Sequence, residues 1–180
     1  IAREWSNART RWGRPVGMHE AVGKKIAFIA ASAFALDAVF ELCAEMADAG
    51  QKDVRIEAAL AKLWCTEISC RIADELVQIR GGRGFETADS LEARGERAVP
   101  AEQQLRDLRI NRIFEGSSEI MKLLIAREAV DAHLAAAGDL ASEDASLSDK
   151  AKAAVGASGF YAKWLPKLVA GAGMDPRSYN

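Results

Sequence analysis

Cysteine and histidine are scarce in this 180-residue chain: three of the first (Cys43, Cys65, Cys70) and two of the second (His19, His133). The cysteines show no CxxC spacing, and Cys65 and Cys70 fall on one predicted helix where they cannot easily bridge. They read as reduced, buried thiols of an intracellular protein. Neither histidine has a second His, Cys or carboxylate at metal-ligand spacing, so no metal site is expected. A surplus of one charge is also missing. The net charge of −2 points to no nucleic acid and no polybasic membrane contact. No apolar run reaches the roughly 18 residues that span a bilayer. Residues 26–40 come closest, but Lys24, Lys25 and Glu41 bracket them and Asp37 interrupts them. There is no secretory signal. Strand signals are nearly absent, with no sustained alternation and no Asn-Gly or Asp-Gly hairpin turn. The chain opens on Ile1-Ala2-Arg3-Glu4-Trp5, which reads as the interior of a longer protein.

What is present is a globular composition, 49% hydrophobic and 28% charged, enough for one domain with a core. Residues 20–49 repeat Val22, Ile26, Ile29, Ala33, Leu36, Phe40, Cys43 and Ala47 at helical spacing, and Gly50 sits where a helix stop belongs. Asp53 is placed to cap the next helix. Its stripe is Ile56, Leu60, Leu63, Ile68, Ile72, Leu76 and Ile79, and it stops at Gly81-Gly82. Helices this long, joined by a short link, suit a bundle of near-antiparallel neighbours. Residues 83–100 have no period and read as a loop. Pro100 fits the first turn of a third helix, with Leu105, Leu108 and Ile113 inward and Gly116 breaking it. Ser117 caps a fourth, carrying Ile120, Leu123, Leu124, Val130 and Leu134. The expected fold is all-α: a four-helix up-and-down bundle over 20–136, preceded by an N-terminal segment (1–19). Residues 137–180 follow as a linker, placed at 138–148, and the start of an extra C-terminal helical region. That region holds a weaker helix over 149–169 that Pro166 kinks or ends, and a truncated continuation from 171 to 180.

One stretch concentrates chemistry: Phe114-Glu115-Gly116-Ser117-Ser118-Glu119-Ile120. It puts a carboxylate at the mouth of a helix, near unpaired backbone N–H groups and the positive end of the helix dipole. Spacing alone favours a helix-capping acid over a functional one. Upstream, Gln78 precedes the glycine turn Gly81-Gly82-Arg83-Gly84. It is either a plain helix stop or a place where a ligand approaches the backbone closely. Arg106, Arg109 and Arg112 fall on one stripe of the third helix, which reads as a solvated or subunit-facing ion-pair row.

Taken in order, Arg9-Thr10-Arg11-Trp12-Gly13, Gln78-Ile79-Arg80-Gly81-Gly82-Arg83-Gly84-Phe85, Leu105-Arg106-Asp107-Leu108-Arg109-Ile110, Arg112-Ile113-Phe114-Glu115-Gly116-Ser117-Ser118-Glu119-Ile120 and Ala126-Arg127-Glu128 resemble the motif run of acyl-CoA dehydrogenases, in their carboxy-terminal helical domain. The resemblance spans residues 1–135. It implies that Glu115 is the catalytic base that takes the α-proton of an acyl-CoA while the β-hydride goes to FAD, giving a trans-2-enoyl-CoA in fatty acid β-oxidation. The chemistry suits the residue type: the weakly acidic α-hydrogen needs a base within hydrogen-bond reach, and the thioester oxygen needs donors where enolate charge develops. The Glu115 backbone N–H would be one of those donors.

By the same resemblance, Arg9, Arg11, Trp12, Gln78, Gly82, Ser117 and Glu119 meet the cofactor, FAD, and Phe114 and Gly116 meet the substrate. Ser117 stands for the common Thr, and Glu119 for Gln or Asp. The extended loop at 86–100 and the tail beyond Leu134 resemble the very-long-chain-type branch. Implied partners are the acyl-CoA, an electron-transfer flavoprotein or similar acceptor, and a second copy of the chain in a homodimer or homotetramer. Nucleic acid is not implied, and membrane association of the full-length protein stays open. The expected location is a bacterial cytoplasm, or the mitochondrial matrix if the source is eukaryotic. The chain alone is expected neither to retain FAD nor to turn over. Two rivals stand beside this reading: an acyl-CoA oxidase, and a non-catalytic helical assembly module with the same bundle.

Overall fold

The computed structural model describes residues 1–50 and 53–169, and the side chains of all of these but 167 and 169. The expected continuation over 171–180 lies outside the described residues. Of the described residues 78% are helical and 2% are in strands, as the all-α expectation requires. In order it holds α1 (Ala2–Ala8), a two-residue pair β1 (Thr10–Arg11) and β2 (Arg14–Pro15), one 3₁₀ turn (Val16–Met18), α2 (Glu20–Asp48), α3 (Arg55–Arg80), α4 (Gly82–Phe85), α5 (Ala88–Glu92), α6 (Ala101–Ile110), α7 (Ser118–Ala141) and α8 (Leu147–Val169). Two compact units result, residues 1–122 and the residues from 123 on.

In the first unit α3 is the hub, packing on α1, α2, α4 and α6. Its buried face is Ala59, Cys70, Ala73, Leu76 and Ile79, which keeps Leu76 and Ile79 of the expected stripe and adds small side chains, while Ile56, Leu63, Ile68 and Ile72 are half-buried. Leu60 is exposed. Small side chains on this face let neighbouring helices approach closely. The Cys70 thiol donates to the Leu108 carbonyl of α6 at 3.1 Å. Lys25 of α2 pairs with Glu75, and the Arg71 guanidinium lies 4.4 Å from the Phe28 ring centroid, so α2 and α3 are tied by charge as well as packing. Asp53 is not the capping residue of α3. Val54 holds that position without a side-chain bond, while the Asp53 carboxylate accepts from the Arg55 backbone N–H at 3.3 Å and its guanidinium at 2.9 Å. Those bonds, the guanidinium's first, bring its pKa down to about 2.

Five expectations need correction here. Residues 83–100 are not an unstructured loop. They wind into α4 and α5, the latter capped by Thr87, whose hydroxyl accepts from Ser90 N at 3.3 Å. Leu91 is 0% exposed, worth about 1.5–3 kcal/mol for a leucine taken fully out of water. Arg83 and Arg94 grip Glu86 and Glu96 around it. Elements one turn long leave no period to read, which is why the segment looks irregular in sequence. The third helix stops at Ile110, so Ile113 is exposed rather than inward and Arg112 stands off its stripe. A hairpin exists at residues 10–15, closed by Trp12 (φ 50°) and Gly13 (φ 76°). Both central residues of such a turn need positive φ, and a tryptophan there hides the signal.

The fourth correction concerns α2, which contains an 18-residue window of mean hydropathy 1.9, long and apolar enough to cross a membrane by composition. Asp37 breaks the run without much lowering its mean. Phe40 is 74% exposed on this helix, so much of its apolar surface has no cover among the described residues. Fifth, α7 runs to Ala141 and α8 starts at Leu147, which cuts the expected linker to residues 142–146. Ser146 starts α8 by accepting from Asp149 N at 3.2 Å. Pro166 lies inside α8 and does not end it. In the second unit, His133 of α7 sits among Phe160, Tyr161 and Trp164 of α8, ring centroids 4.9–5.6 Å away, and its Nδ1 is 3.1 Å from the Tyr161 hydroxyl.

Candidate functional site

The turn between α6 and α7 gathers Phe114, Glu115, Gly116, Ser117 and Glu119. Its winding tightens as α6 ends: Ile113 N and Phe114 N both donate to Ile110 O, at 2.9 and 3.2 Å. Then the backbone turns left-handed at Glu115 (φ 52°) and Gly116 (φ 94°). Glycine tolerates this; a glutamate there costs of order 1–3 kcal/mol and persists only because its surroundings impose it. Ser118 N closes the turn on Arg112 O at 3.1 Å.

Helix α7 starts without help from Glu115. Ser117 takes the cap, its hydroxyl accepting from Ile120 N at 3.4 Å. Glu119 lies in the first turn, its carboxyl held below the usual range by its own backbone N–H first and the Ser117 hydroxyl second. The capping role weighed for Glu115 thus belongs to its neighbours. Glu115 is exposed. Among the described residues its carboxylate has no hydrogen-bond or ion-pair partner, and its backbone N–H donates to no acceptor. Phe114 beside it is 44% exposed.

Two charged residues of α3 hold the turn from beneath. Lys62 Nζ donates to Asn111 O (3.0 Å), to Phe114 O (3.3 Å) and to Gly116 O. Glu67 accepts from the Ser118 hydroxyl and pairs with Arg112 at 2.8 Å. Sequence reasoning missed both. The signal was a charge one residue off the apolar stripe, Lys62 before Leu63 and Glu67 before Ile68. The Ser118 hydroxyl, and after it Arg112, lower the Glu67 pKa from 4.5. A lowered folded value means the contribution is complete above about pH 4.5 and is lost as pH falls through the folded value. Unfolding midpoints measured down from pH 5 are expected to drop in the parent, and to drop less steeply in Glu67→Gln.

The other candidate positions lie elsewhere in the same unit. Arg11 donates to Thr10 O at 2.9 Å. Trp12 is 88% exposed at the tip of the hairpin, edge-on to His19 with ring centroids 5.4 Å apart. Gln78 is exposed on the last turn of α3, and Gly82 opens α4 with free space where a Cβ would stand. Trp5 links these two groups. Arg9 lies 5.7 Å and Arg80 4.6 Å from its ring centroid. The Arg80 guanidinium is buried, and that burial lowers its pKa. No bond joins either group to the Glu115 turn among the described residues. Of the arginine row, Arg106 pairs with Glu102 at 2.6 Å along α6, and Arg112 serves the turn.

The family model described as the C-terminal domain of acyl-CoA dehydrogenase matches residues 1–130. "Probable acyl-CoA dehydrogenase FadE10" of Mycobacterium tuberculosis (strain H37Rv) is 72% identical over all 180 residues, which is 28% of that protein. The very long-chain specific acyl-CoA dehydrogenase of mouse mitochondria is 34% identical over 118 residues, 66% of this chain and 16% of that one. Among solved structures, butyryl-CoA dehydrogenase from Megasphaera elsdenii is similar with a TM-score of 0.62 and 26% identity, over 72% of this chain and 31% of that one. The chain therefore spans under a third of the length of these relatives.

Proposed function

The chain belongs to the acyl-CoA dehydrogenase family, and we propose that in its full-length protein it supplies the base of a thioester dehydrogenation, with Glu115 taking the α-proton of an acyl-CoA. One observation carries the reading: a solvent-facing carboxylate with no partner among the described residues, on strained backbone held by neighbours that do not touch the carboxylate itself. A capping or structural acid would be bonded. The free Glu115 N–H supports a second role, as a donor to the thioester oxygen when enolate charge develops. Phe114 offers an apolar wall beside the acyl group, and Gly116 keeps the backbone open to it.

Residues fit for FAD are present. The space over Gly82, the exposed Gln78 beside it and the open face of Trp12 suit close approach of a flat, pyrophosphate-bearing cofactor. Arg9 and Arg11 add cations of the kind that hold phosphates. Ser117 and Glu119 are engaged with each other at the start of α7, so contact with the cofactor is secondary for both. When bound, FAD supplies the hydride acceptor. Similarity to the very-long-chain enzyme supports a long acyl chain, and the uncovered apolar surface of α2 supports association with a second copy. An electron-transfer flavoprotein is the proposed acceptor.

Anaerobic titration of the full-length protein with acyl-CoA thioesters of graded chain length tests this. The flavin's visible absorbance is expected to bleach, most readily with long chains. Bleaching by no thioester would overturn the reading. Rapid reoxidation of the bleached enzyme by oxygen would move it to the acyl-CoA oxidases.

A further inference from the structure

We infer that Lys62 is a positioning residue that aims both the Glu115 carboxylate and the Glu115 N–H, an inference that rests on the base assignment above. An ammonium carries three donors and no acceptor. Here all three go to backbone carbonyls of one turn: Asn111, Phe114 and Gly116. No carboxylate pairs with Lys62 among the described residues, so its charge is met by peptide dipoles alone.

The choice of carbonyls matters. Phe114 C=O and Glu115 N–H belong to one planar, trans peptide unit, in which the two groups point in opposite directions. Drawing the Phe114 oxygen toward α3 turns the Glu115 N–H away from α3, and the cation polarises that N–H as a donor. Gly116 O lies on the far side of Glu115, so the ammonium pins the backbone before and after the base. That is the restraint a glutamate at φ 52° needs in order to keep one orientation. Asn111 O anchors the same tripod to the end of α6. A lysine here reads in sequence as one more solvated charge, and carbonyls leave no sequence signature.

The test uses the full-length protein with FAD bound. Lys62→Met keeps the apolar stem and removes the ammonium. Flavin content per chain and acyl-CoA affinity are expected to stay within about threefold. The anaerobic bleaching rate per bound flavin is expected to fall about 10²-fold, the scale of an ångström-sized misplacement of a reacting group. Amide hydrogen exchange over residues 112–118 is expected to quicken at least about tenfold, a readout independent of turnover. Lys62→Arg keeps the charge but offers a planar fork in place of a tripod, and is expected to recover the rate only in part. Parental bleaching per flavin in Lys62→Met would overturn the inference. If Lys62→Met does not fold, Lys62→Arg decides: a folded enzyme at parental rate overturns it, and a folded enzyme with a depressed rate at unchanged affinity sustains it. Failure of both variants to fold would also overturn it, since the lysine would then serve the fold and not the aim of one turn. Glu115→Gln separates the two layers. Normal bleaching in that variant removes the base assignment itself, whereas loss of bleaching there with normal bleaching in Lys62→Met removes only the role of Lys62.

Discussion

Replacing Glu115 by glutamine in the full-length protein is expected to leave a folded, yellow enzyme that acyl-CoA no longer bleaches under anaerobic conditions. The carboxamide has the shape of the carboxylate and the same backbone demand at φ 52°. It cannot accept a proton. A positioned base contributes about 10²–10⁴ in rate, and the loss is expected to reach at least that range. Because the side chain is exposed and unpartnered among the described residues, the substitution is expected to change stability by no more than about 0.5 kcal/mol. A thermal melt and a flavin-to-protein ratio check this. The contrast is what makes the experiment informative: a structural acid would lower stability and spare the rate, and a base does the reverse. Bleaching at the parental rate would take Glu115 out of the mechanism and leave the helical-module reading standing.

The long helices were legible because their signal accumulates. Residues 20–49 and 53–80 were expected from apolar periodicity and glycine stops, and α2 and α3 occupy Glu20–Asp48 and Arg55–Arg80. Which face α3 buries was less legible. The periodic Leu and Ile residues compete with Ala59, Cys70 and Ala73, and close packing against neighbouring helices favours the smaller side chains. Short elements were illegible for the opposite reason. A single turn such as α4 or α5 contains no repeat, and Trp12 at positive φ departs from the residues that announce a hairpin. The end of α6 at Ile110 was missed because helix-compatible residues continue to Phe114, while the tertiary contacts of Lys62 and the turn-closing Ser118 N–Arg112 O bond bend the chain earlier. At the site, residue types and spacing alone favoured a cap for Glu115, and only the family resemblance made it a base. The structure gives the cap to Ser117 and Glu119, two neighbours whose hydroxyl and carboxylate were visible in the sequence but whose division of labour was not.

Two glycines of the turn after α3 are expected to respond to alanine in opposite ways. At Gly84 a Cβ would stand 2.5 Å from Val77 O and 2.8 Å from Val77 Cα. Both are backbone atoms of α3 and cannot swing aside. Gly84→Ala must push α4 off the end of α3 and disturb the packing of α4 against α6. Overpacking of this kind costs about 1–3 kcal/mol or more, read as a fall in the unfolding midpoint. At Gly82 the same methyl group meets nothing within 4 Å, and Gly82 does not have positive φ. Nothing among the described residues therefore requires glycine there, and Gly82→Ala is expected to leave the midpoint within about 0.5 kcal/mol. The space it fills is the space proposed for cofactor. Flavin retained through gel filtration of the full-length protein is expected to drop several-fold in Gly82→Ala, with the helical content unchanged. Full flavin retention in that variant would move the cofactor contact away from the end of α3, while leaving the base at Glu115 untouched. A midpoint that falls as far in Gly82→Ala as in Gly84→Ala would instead make both glycines part of the fold alone.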